Sequence, residues 1–255
     1  MSLDCFRGWA LLDRNMARPV LIIFGGTSAV GRNLAELAIQ EGIDVVLTYF
    51  RRRKLASELA SKLSKGRGAK AVELHCDARD QAAVADVFAS LAPSKLNRKI
   101  YVAICVGGNI RCETARITGA VLDETMRLNV APALWVFAQL EALSRADARG
   151  ACVVLSSTAG VSAAAASPHY CAAKAAVNQL VTVFARTCAP RFRVNAVAPG
   201  VIQSATRRRR VVAERMIPLR RYAHAREIAA LVAWILWHET YVTGQVIVSD
   251  GGMLL

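Results

Sequence analysis

Ser157, Tyr170 and Lys174 are the residues of this sequence whose types and spacing best suit catalysis. Tyr170 and Lys174 stand at positions i and i+4 of a stretch with helical periodicity, so their side chains would share one face of a helix. A free tyrosine has a pKa near ~10, and a neighbouring ammonium group lowers that pKa by favouring the phenolate. Ser157 follows an apolar run typical of a strand, and ligands meet parallel sheets at strand ends. Each residue alone could serve ordinary packing, but the joint spacing predicts proton transfer by Tyr170 near neutral pH.

A glycine-rich turn follows the first apolar run, Val20–Phe24, and precedes a helical pattern over Val30–Glu41. The first amides of a helix point out of it and lie at the positive end of its dipole, so such a turn suits a pyrophosphate. Gly25 would form the tight turn, and Gly31 would let the helix approach the strand. The alternative is an ordinary turn between a strand and a helix. We predict a dinucleotide site, with contacts from Gly25, Thr27, Ser28, Val30 and Gly31.

The end of the second apolar run, Asp44–Tyr49, bears on which nicotinamide cofactor would bind. NAD-binding sites place an Asp or Glu here, and its carboxylate holds the ribose 2′-hydroxyl. This sequence instead has consecutive cations from Arg51 to Lys54, and a guanidinium group suits a dianionic 2′-phosphate. The alternative, a solvated start of the next helix, is the one we favour for Arg53 and Lys54. We therefore predict NADP(H) as cofactor, with Arg51 as the phosphate contact and Arg52 in support.

Apolar, β-branched runs alternate with amphipathic stretches along the chain from Pro19 onward. Apolar strands separated by helices are typical of a parallel sheet covered on both faces. The sequence therefore predicts one doubly wound, Rossmann-like α/β domain over residues 19–255, with a parallel seven-stranded sheet, after a loose extension over residues 1–18. The predicted strands are Val20–Phe24, Asp44–Tyr49, Ala71–His75, Ile100–Val106, Ala151–Ser156, Arg193–Val197 and Gln245–Val248. The predicted helices are Val30–Glu41, Arg53–Ser64, Gln81–Leu91, Leu122–Ser144, Tyr170–Ala189 and Arg226–Trp237.

The 255 residues are 54% hydrophobic and carry a net charge of +14, from 33 Lys and Arg against 19 Asp and Glu. This apolar fraction excludes a disordered chain, and no apolar run reaches the ~18 residues that a membrane-spanning helix needs. Half of the net charge lies in residues 203–226, where eight Arg accompany one acid, Glu214. A nucleic-acid-binding protein would be basic over a whole face, whereas one basic patch favours a narrower anion site. We therefore expect neither a nucleic acid nor a membrane as partner.

The seven Cys residues are scattered, and no two of them form a CxxC pair. This spacing gives no support for a zinc site or a thioredoxin-like motif, and we predict no bound metal. Met1–Arg18 lacks the continuous apolar segment that a signal peptide contains. We therefore expect a reduced, cytoplasmic protein.

Eight segments of this sequence, taken together, resemble the short-chain dehydrogenase/reductase family. The resemblance runs from about Val20 to Met253, and the segments stand in the family's order and spacing. Within the family, the sequence is similar to the β-ketoacyl-carrier-protein reductases. The segments are GGTSAVG at 25–31, HCDARD with Asp77, the pair Gly107-Gly108, RLNV with Asn129, LSSTAG with Ser157, YCAAK at Tyr170–Lys174, RVNAVAPG at 193–200 and YVTGQVIVSDGG at 241–252.

The resemblance implies a role for each member of a catalytic tetrad. Tyr170 would protonate the carbonyl oxygen as hydride is transferred, and Lys174 would hold the nicotinamide ribose and tune Tyr170. Ser157 would hydrogen-bond the substrate oxygen, and Asn129 would position a water that relays protons through Lys174. Asp77 would contact the adenine. The further cofactor contacts that the resemblance implies are Ala78, Gly107, Pro199, Gly200, Ile202 and Ser204.

Three positions depart from the family pattern. Ala29 stands where the family has its middle glycine and adds a methyl group near the pyrophosphate. Cys105 replaces the first asparagine of the family's Asn-Asn-Ala-Gly, which helps to brace the central strands, so the local geometry of this loop is in question. Ser204 replaces the threonine that binds the carboxamide and keeps its hydroxyl group.

These residues predict an NADPH-dependent reductase that transfers hydride to a ketone carbonyl, such as a β-ketoacyl thioester or a related biosynthetic intermediate. Alternatives within the family are an NADP-dependent alcohol dehydrogenase and a reductase of imines or cyclic ketones. Enoyl reductases of related fold keep their Tyr and Lys further apart than Tyr170 and Lys174, which disfavours C=C reduction. A more remote alternative is a non-catalytic NADP-sensing or nucleic-acid-binding protein, which the complete tetrad disfavours.

Residues 203–218 lie where the family has a lid over the substrate, and they include Arg207–Arg210. Two interpretations of this cluster stay open: docking of an acyl carrier protein or other acidic partner, and a solvated arginine-rich helix. The resemblance also implies a homotetramer, with Leu122–Ser144 and Tyr170–Ala189 as interface helices. His169, next to Tyr170, is expected to be incidental, because the tetrad needs no further base.

Overall fold

A computed structural model of the chain describes residues 18–66, 68–90, 98–146, 148–162, 167–203 and 212–255. The strands are β1 Val20–Phe24, β2 Asp44–Tyr49, β3 Ala71–His75, β4 Ile100–Ile104, β5 Gly150–Leu155, β6 Phe192–Pro199 and β7 Val246–Ser249. Over the described residues the α-helices are α1 Ala29–Gln40, α2 Arg53–Leu63, α3 Gln81–Ala89, α4 Gly119–Asn129, α5 Ala131–Arg145, α6 Pro168–Cys188 and α7 Ala225–Ala233. The strands form one parallel sheet in the order β3-β2-β1-β4-β5-β6-β7, which confirms the predicted fold.

Both faces of the sheet are covered by helices, as the apolar strands predict. Val20, Ile22 and Phe24 of β1 pack in a core with residues of α3, α5 and α6. Leu21 and Ile23 point to the other face, into a core with residues of α1, α2 and α7. Because successive side chains of a strand point to opposite faces, a strand covered on both sides is apolar at every position. This is why β1 reads as one continuous apolar run.

The predicted helix Leu122–Ser144 is wrong, because the chain forms two helices there, α4 and α5, that meet at Val130. Pro132 lies in the first turn of α5. Proline has no N–H group, so Pro132 cannot donate to the carbonyl of Leu128 and continue α4 into α5. The apolar periodicity runs on across this break, which is why it suggested one helix. As a result, Asn129 is the last residue of α4 rather than an interior helical residue.

The predicted helix Arg226–Trp237 is also shorter than expected. It ends as α7 at Ala233 and is followed by a π-helical turn, Trp234–His238. The Arg193 guanidinium of β6 donates hydrogen bonds to the carbonyls of Ile235 and Leu236, at 2.9 and 3.0 Å. Carbonyls at the end of a helix have no partner within it, so Arg193 supplies one and fastens this turn to the sheet.

The carboxyl ends of β1, β4, β5 and β6 lie side by side at one edge of the sheet. The order of the strands reverses between β1 and β4, since the chain adds β2 and β3 on one side and β4 to β7 on the other. Ligands of open α/β sheets bind outside the carboxyl ends of strands at such a reversal. The loops that follow these four strands are therefore the place to look for a site.

Two observations concern membranes and metals. Of the helices within the described ranges, none is both long and apolar enough to span a bilayer. In that same part of the chain, no three His, Cys, Asp or Glu side chains are grouped closely enough to hold a metal ion.

Candidate active site

A cavity of about 310 Å³ opens at the carboxyl edge of the sheet. Three members of the predicted tetrad, Ser157, Tyr170 and Lys174, line it together. The predicted cofactor contacts that line the same cavity are Gly107, Pro199, Gly200 and Ile202. Asn129 and the glycine turn are not among its lining residues, and Ser204 lies outside the described residues. The fold therefore gathers residues from the loops after β4, β5 and β6 and from helix α6 around one space.

Tyr170 and Lys174 lie on the first turns of α6, which begins at Pro168. Proline suits this position because its fixed backbone angle matches the helix and its missing N–H would have no acceptor there. The Nζ atom of Lys174 is 5.9 Å from the centroid of the Tyr170 ring, and it donates a hydrogen bond to the carbonyl of Leu155 at 2.8 Å. Only 3% of Lys174 is exposed. Burial disfavours the ammonium form and lowers the pKa of Lys174 to about 8.

Ser157 is held at the end of β5 by its own turn and by α6. Its Oγ accepts a hydrogen bond from the amide of Ala159 at 3.2 Å. The preceding Ser156 donates its hydroxyl to Oδ1 of Asn178 at 2.5 Å, and Nδ2 of Asn178 donates to the carbonyl of Gly160 at 2.9 Å. Asn178 thus fastens the Ser157 loop to the helix that carries Tyr170. Sequence reasoning missed Asn178, although it lies four residues after Lys174 and so on the same helix face.

Asn129 supports the loop after β4 with all of its side-chain polar atoms. Its Oδ1 accepts from the amide of Gly108 at 3.0 Å, while Nδ2 donates to the carbonyls of Gly108 and Thr125 at 2.9 and 3.0 Å. Gly107 has a φ of 139°, and a Cβ at this position would lie 2.8 Å from Asn129 Oδ1 and 3.1 Å from Lys174 Nζ. Only glycine therefore allows the backbone to pass this close to both side chains.

Cys105, which departs from the family pattern, continues the pairing of the central strands. Its amide donates to the carbonyl of Phe24 at 2.8 Å, which extends the pairing of β1 with β4 by one residue. A Cβ on Gly25 would lie 3.0 Å from the Cys105 carbonyl oxygen, so the glycine turn packs directly against this loop. Burial raises the pKa of the Cys105 thiol to about 12. The thiol is therefore protonated at neutral pH and is not a nucleophile.

The glycine turn has the features that a pyrophosphate site requires. Gly25 has a φ of 81°, in the left-handed region, and a Cβ on Gly31 would lie 2.6 Å from the Gly25 carbonyl oxygen. Ser28 caps α1, since its Oγ accepts from the Gly31 amide at 3.0 Å. The amides of Ala29 and Val30 open the helix and have no acceptor within it. Ala29 itself is exposed, so its methyl group occupies no space that the turn needs. These residues fit a dinucleotide phosphate.

Two arginines contact the aromatic ring of Phe50, the residue that follows β2. The guanidinium carbons of Arg51 and Arg79 lie 5.2 and 5.1 Å from the centroid of the Phe50 ring. Arg79 is also bound to Asp77 and Glu124, with N–O distances of 2.8 and 3.0 Å. Within the described residues, Arg51 has no carboxylate partner. It therefore presents an uncompensated positive charge next to the predicted ribose position.

Asp77, the predicted adenine contact, has its carboxylate occupied by Arg79. Nε of Arg79 donates to Asp77 Oδ1 at 2.9 Å, and Nη2 donates to Oδ2 at 2.8 Å. This pairing holds the pKa of Asp77 below its usual range. Sequence reasoning missed Arg79, although its position two residues after Asp77 allows such a bidentate bond. The neighbouring Ala78 is buried.

His169 has a structural contact that the sequence did not indicate. Only 4% of it is exposed, and its Nε2 lies 2.7 Å from the carbonyl oxygen of Ile110. A carbonyl can only accept, so Nε2 carries the proton and donates. His169 therefore ties the loop after β4 to the start of α6. Cavity-lining residues that sequence reasoning missed include Asn109 and Arg111 of the loop after β4, and also Val212 and Met253.

Lys174 makes the stability of the fold depend on pH. Its pKa is about 8 in the folded chain, against an ordinary value of 10.5, so the folded state releases this proton at lower pH than the unfolded state does. The cost of the buried ammonium is therefore largest below about pH 8 and disappears above the unfolded pKa. Between about pH 7 and about pH 9.5 we expect the free energy of unfolding of the wild type to rise by about 2 kcal/mol relative to Lys174→Met.

Urea unfolding of both proteins at the two pH values measures this difference. Lys54→Met is the matched control, because Lys54 is exposed at the start of α2 and should not change the pH dependence. A constant difference between the wild type and Lys174→Met across this range would contradict the prediction.

Comparisons with known proteins cover nearly the whole chain. The family model described as Enoyl-(Acyl carrier protein) reductase matches residues 25–254. The uncharacterized oxidoreductase YmfI of Bacillus subtilis is 30% identical over 243 residues, which cover 91% of this chain and 97% of that protein. An NAD-dependent glycerol dehydrogenase of Listeria innocua is 26% identical over 94% of this chain and 95% of its own length. A crystal structure of a protein from Burkholderia xenovorans has a TM-score of 0.82 and 28% identity, covering 94% of this chain and 99% of that one.

The matched residues 25–254 include the glycine turn, the predicted tetrad and every loop that lines the cavity. The resemblance that the eight sequence segments indicated is therefore confirmed across the described fold. This chain belongs to the short-chain dehydrogenase/reductase family of oxidoreductases.

Proposed function

We propose that this protein is an NADPH-dependent reductase of a ketone carbonyl, with a β-ketoacyl thioester or a related biosynthetic intermediate as substrate. The observation that carries the proposal is the shared cavity of Ser157, Tyr170 and Lys174, with Lys174 Nζ 5.9 Å from the Tyr170 ring. Side chains that can bind a carbonyl oxygen and give it a proton lie there in one space, beside the strand ends where the cofactor is expected.

Tyr170 is the proton donor in this proposal. The ammonium group of Lys174 favours the phenolate that Tyr170 becomes after donation, and so lowers the pKa of the phenol. Because the pKa of Lys174 is about 8, this lysine is still largely charged at neutral pH. Ser157 holds the carbonyl oxygen by a hydrogen bond, so the proton moves from Tyr170 to an atom already in place.

NADPH fits the residues at the carboxyl edge of the sheet. The amides of the glycine turn would hold its pyrophosphate, Arg51 would hold the 2′-phosphate with Arg52 in support, and Pro199, Gly200 and Ile202 would border the nicotinamide. When bound, the cofactor supplies the hydride, so that ketone, NADPH and a proton give alcohol and NADP⁺. Asn129 holds the Gly107–Gly108 loop, which passes close to Lys174, by its two hydrogen bonds to the backbone of Gly108.

Four predictions rest on the sequence and the family resemblance. Arg207–Arg210, for which docking of an acidic partner and a solvated helix both stay open, lie outside the described residues, as does half of the predicted lid at 203–218. The homotetramer and the cytoplasmic location stay predictions. Each is compatible with the proposed reduction and is not needed for it.

A substrate panel tests the proposed function. NADPH and NADH oxidation would be followed with acetoacetyl-carrier protein, acetoacetyl-CoA, ethyl acetoacetate, cyclohexanone and crotonyl-CoA. We expect NADPH oxidation with one or more of the ketones and none with crotonyl-CoA, because the site is built to protonate a carbonyl oxygen. The description of the matched family model makes crotonyl-CoA the informative contrast.

If crotonyl-CoA were reduced and none of the ketones were, the proposed ketone reduction would be wrong and C=C reduction would take its place as the proposed function. Absence of NADPH oxidation with every ketone, combined with oxidation of a secondary alcohol by NADP⁺, would favour the alcohol dehydrogenase alternative. If Arg207–Arg210 dock a carrier protein, reversal of all four to Glu should lower turnover of the carrier-bound ketone and spare ethyl acetoacetate. Equal losses on both would exclude docking.

A further inference from the structure

Arg111 is a cation in the proposed substrate cavity that the catalytic scheme does not use. It lines the cavity together with Ser157, Tyr170 and Lys174. Its side chain is exposed, and within the described part of the chain it takes part in no hydrogen bond or ion pair. The nearest acid in the sequence, Glu113, is paired with Arg116 at 3.3 Å. The Arg111 guanidinium is therefore available to a ligand.

The described lining of this cavity gives Arg111 no acidic neighbour. Among the described residues that line the cavity, two are cations, Arg111 and Lys174, and none is Asp or Glu. A cavity walled by cations and neutral groups attracts a ligand of negative charge.

The loop that carries Arg111 is fixed relative to the proposed proton donor. Nε2 of His169 donates to the carbonyl of Ile110, the residue before Arg111, and His169 is the residue before Tyr170. This buried contact joins two residues that are 59 positions apart in the sequence. The backbone at Arg111 is therefore held in a fixed position relative to helix α6. A residue that determines substrate specificity needs such a fixed position relative to the catalytic group.

We infer that Arg111 binds a carboxylate of the substrate, so that the ketone reduced at Tyr170 belongs to a small keto acid. A guanidinium group holds a carboxylate by two parallel hydrogen bonds, which fixes orientation as well as charge. The cavity of about 310 Å³ also includes the predicted nicotinamide contacts Pro199, Gly200 and Ile202, so the part left for the substrate suits a compact molecule. This inference rests on the proposed ketone reduction, and among its substrates it favours a related intermediate with a free carboxylate over a β-ketoacyl thioester. His169 is the positioning residue of this arrangement.

The test compares two ketones that differ in whether the carboxyl group is free or esterified. Acetoacetate and ethyl acetoacetate carry the same ketone, and only the first has a carboxylate. In Arg111→Gln we expect kcat/KM for acetoacetate to fall by about 10–100-fold, the usual effect of losing a charged hydrogen bond, and kcat/KM for the ester to change by less than about threefold. The KM for NADPH should stay the same.

Two further variants separate the role of Arg111 from a general loss of charge or structure. Arg111→Lys keeps the charge without the planar fork and should recover part of the activity on acetoacetate. Arg116→Gln is the matched control, since Arg116 is exposed, lies on the same loop and does not line the cavity. It should leave both substrates unaffected.

A binding measurement keeps this inference separable from the proposed function. Quenching of NADPH fluorescence would be titrated with 3-hydroxybutyrate and its ethyl ester, which need no turnover. Tighter binding of the acid to the wild type than to Arg111→Gln supports the inference even if no ketone is reduced, and then only the proposed reaction fails. Equal losses on acid and ester, a raised KM for NADPH alone, or no preference of the wild type for the acid in either assay would overturn it.

Discussion

Tyr170→Phe will lower kcat for ketone reduction by at least about a hundredfold, because the variant keeps the ring and loses the proton donor. Phenylalanine has the same shape apart from the hydroxyl, so the packing of the first turn of α6 should not change. NADPH binding should therefore stay within about twofold of the wild type, since the phosphate turn and Arg51 are untouched. Stopped-flow oxidation of NADPH measures the first quantity, and fluorescence titration measures the second.

The control for this variant is Tyr241→Phe, which removes the same hydroxyl from a side chain that is 96% exposed and does not line the cavity. It should have full activity. Undiminished turnover in Tyr170→Phe would disprove the proposed proton transfer. Lowered turnover together with lost NADPH binding would mean that Tyr170 acts in holding the cofactor instead.

Arg51→Glu will lower the preference for NADPH over NADH, measured as the ratio of the two kcat/KM values, by about 10–100-fold. The Arg51 guanidinium lies over the Phe50 ring and has no carboxylate partner among the described residues. Because no acid neutralises its charge, it would attract a dianionic phosphate strongly. Glutamate in its place repels the 2′-phosphate and can accept a hydrogen bond from a ribose hydroxyl. The loss should come from NADPH, with kcat/KM for NADH equal or higher.

Arg53→Glu makes the same charge change two residues away and serves as the control. Arg53 is exposed at the first residue of α2, where a negative charge is favourable for the helix, so the variant should fold and keep the wild-type preference. A wild type that prefers NADH would contradict the assignment, and so would an equal loss in both variants. The preference for NADH is worth testing because a relative from Listeria innocua is described as NAD-dependent.

Much of the fold could be predicted because its determinants are local. β1, β2 and β3 have the predicted bounds, since each is a short segment rich in β-branched or other apolar residues and bordered by turn residues. The break between α4 and α5 shows the limit of periodicity, because apolar spacing continues across Pro132 while the backbone hydrogen bonds do not. The sequence also allowed us to predict that Ser157 and Tyr170 lie at one site. Ser157 follows a predicted strand, and Tyr170 is placed by its helical spacing from Lys174.

What the sequence determined by itself is the order of strands and helices, the glycine turn, and the i, i+4 pair of Tyr170 and Lys174. Each depends on residues a few positions apart, whose relative placement the helix or strand geometry fixes. Only the tertiary structure decided that His169 holds the Arg111 loop, that Arg79 lies over the ring of Phe50, and that Arg111 faces the cavity of Tyr170. These contacts join loops from different strands. The path of such a loop depends on packing and hydrogen bonds across the whole sheet edge, and spacing along the chain does not encode it.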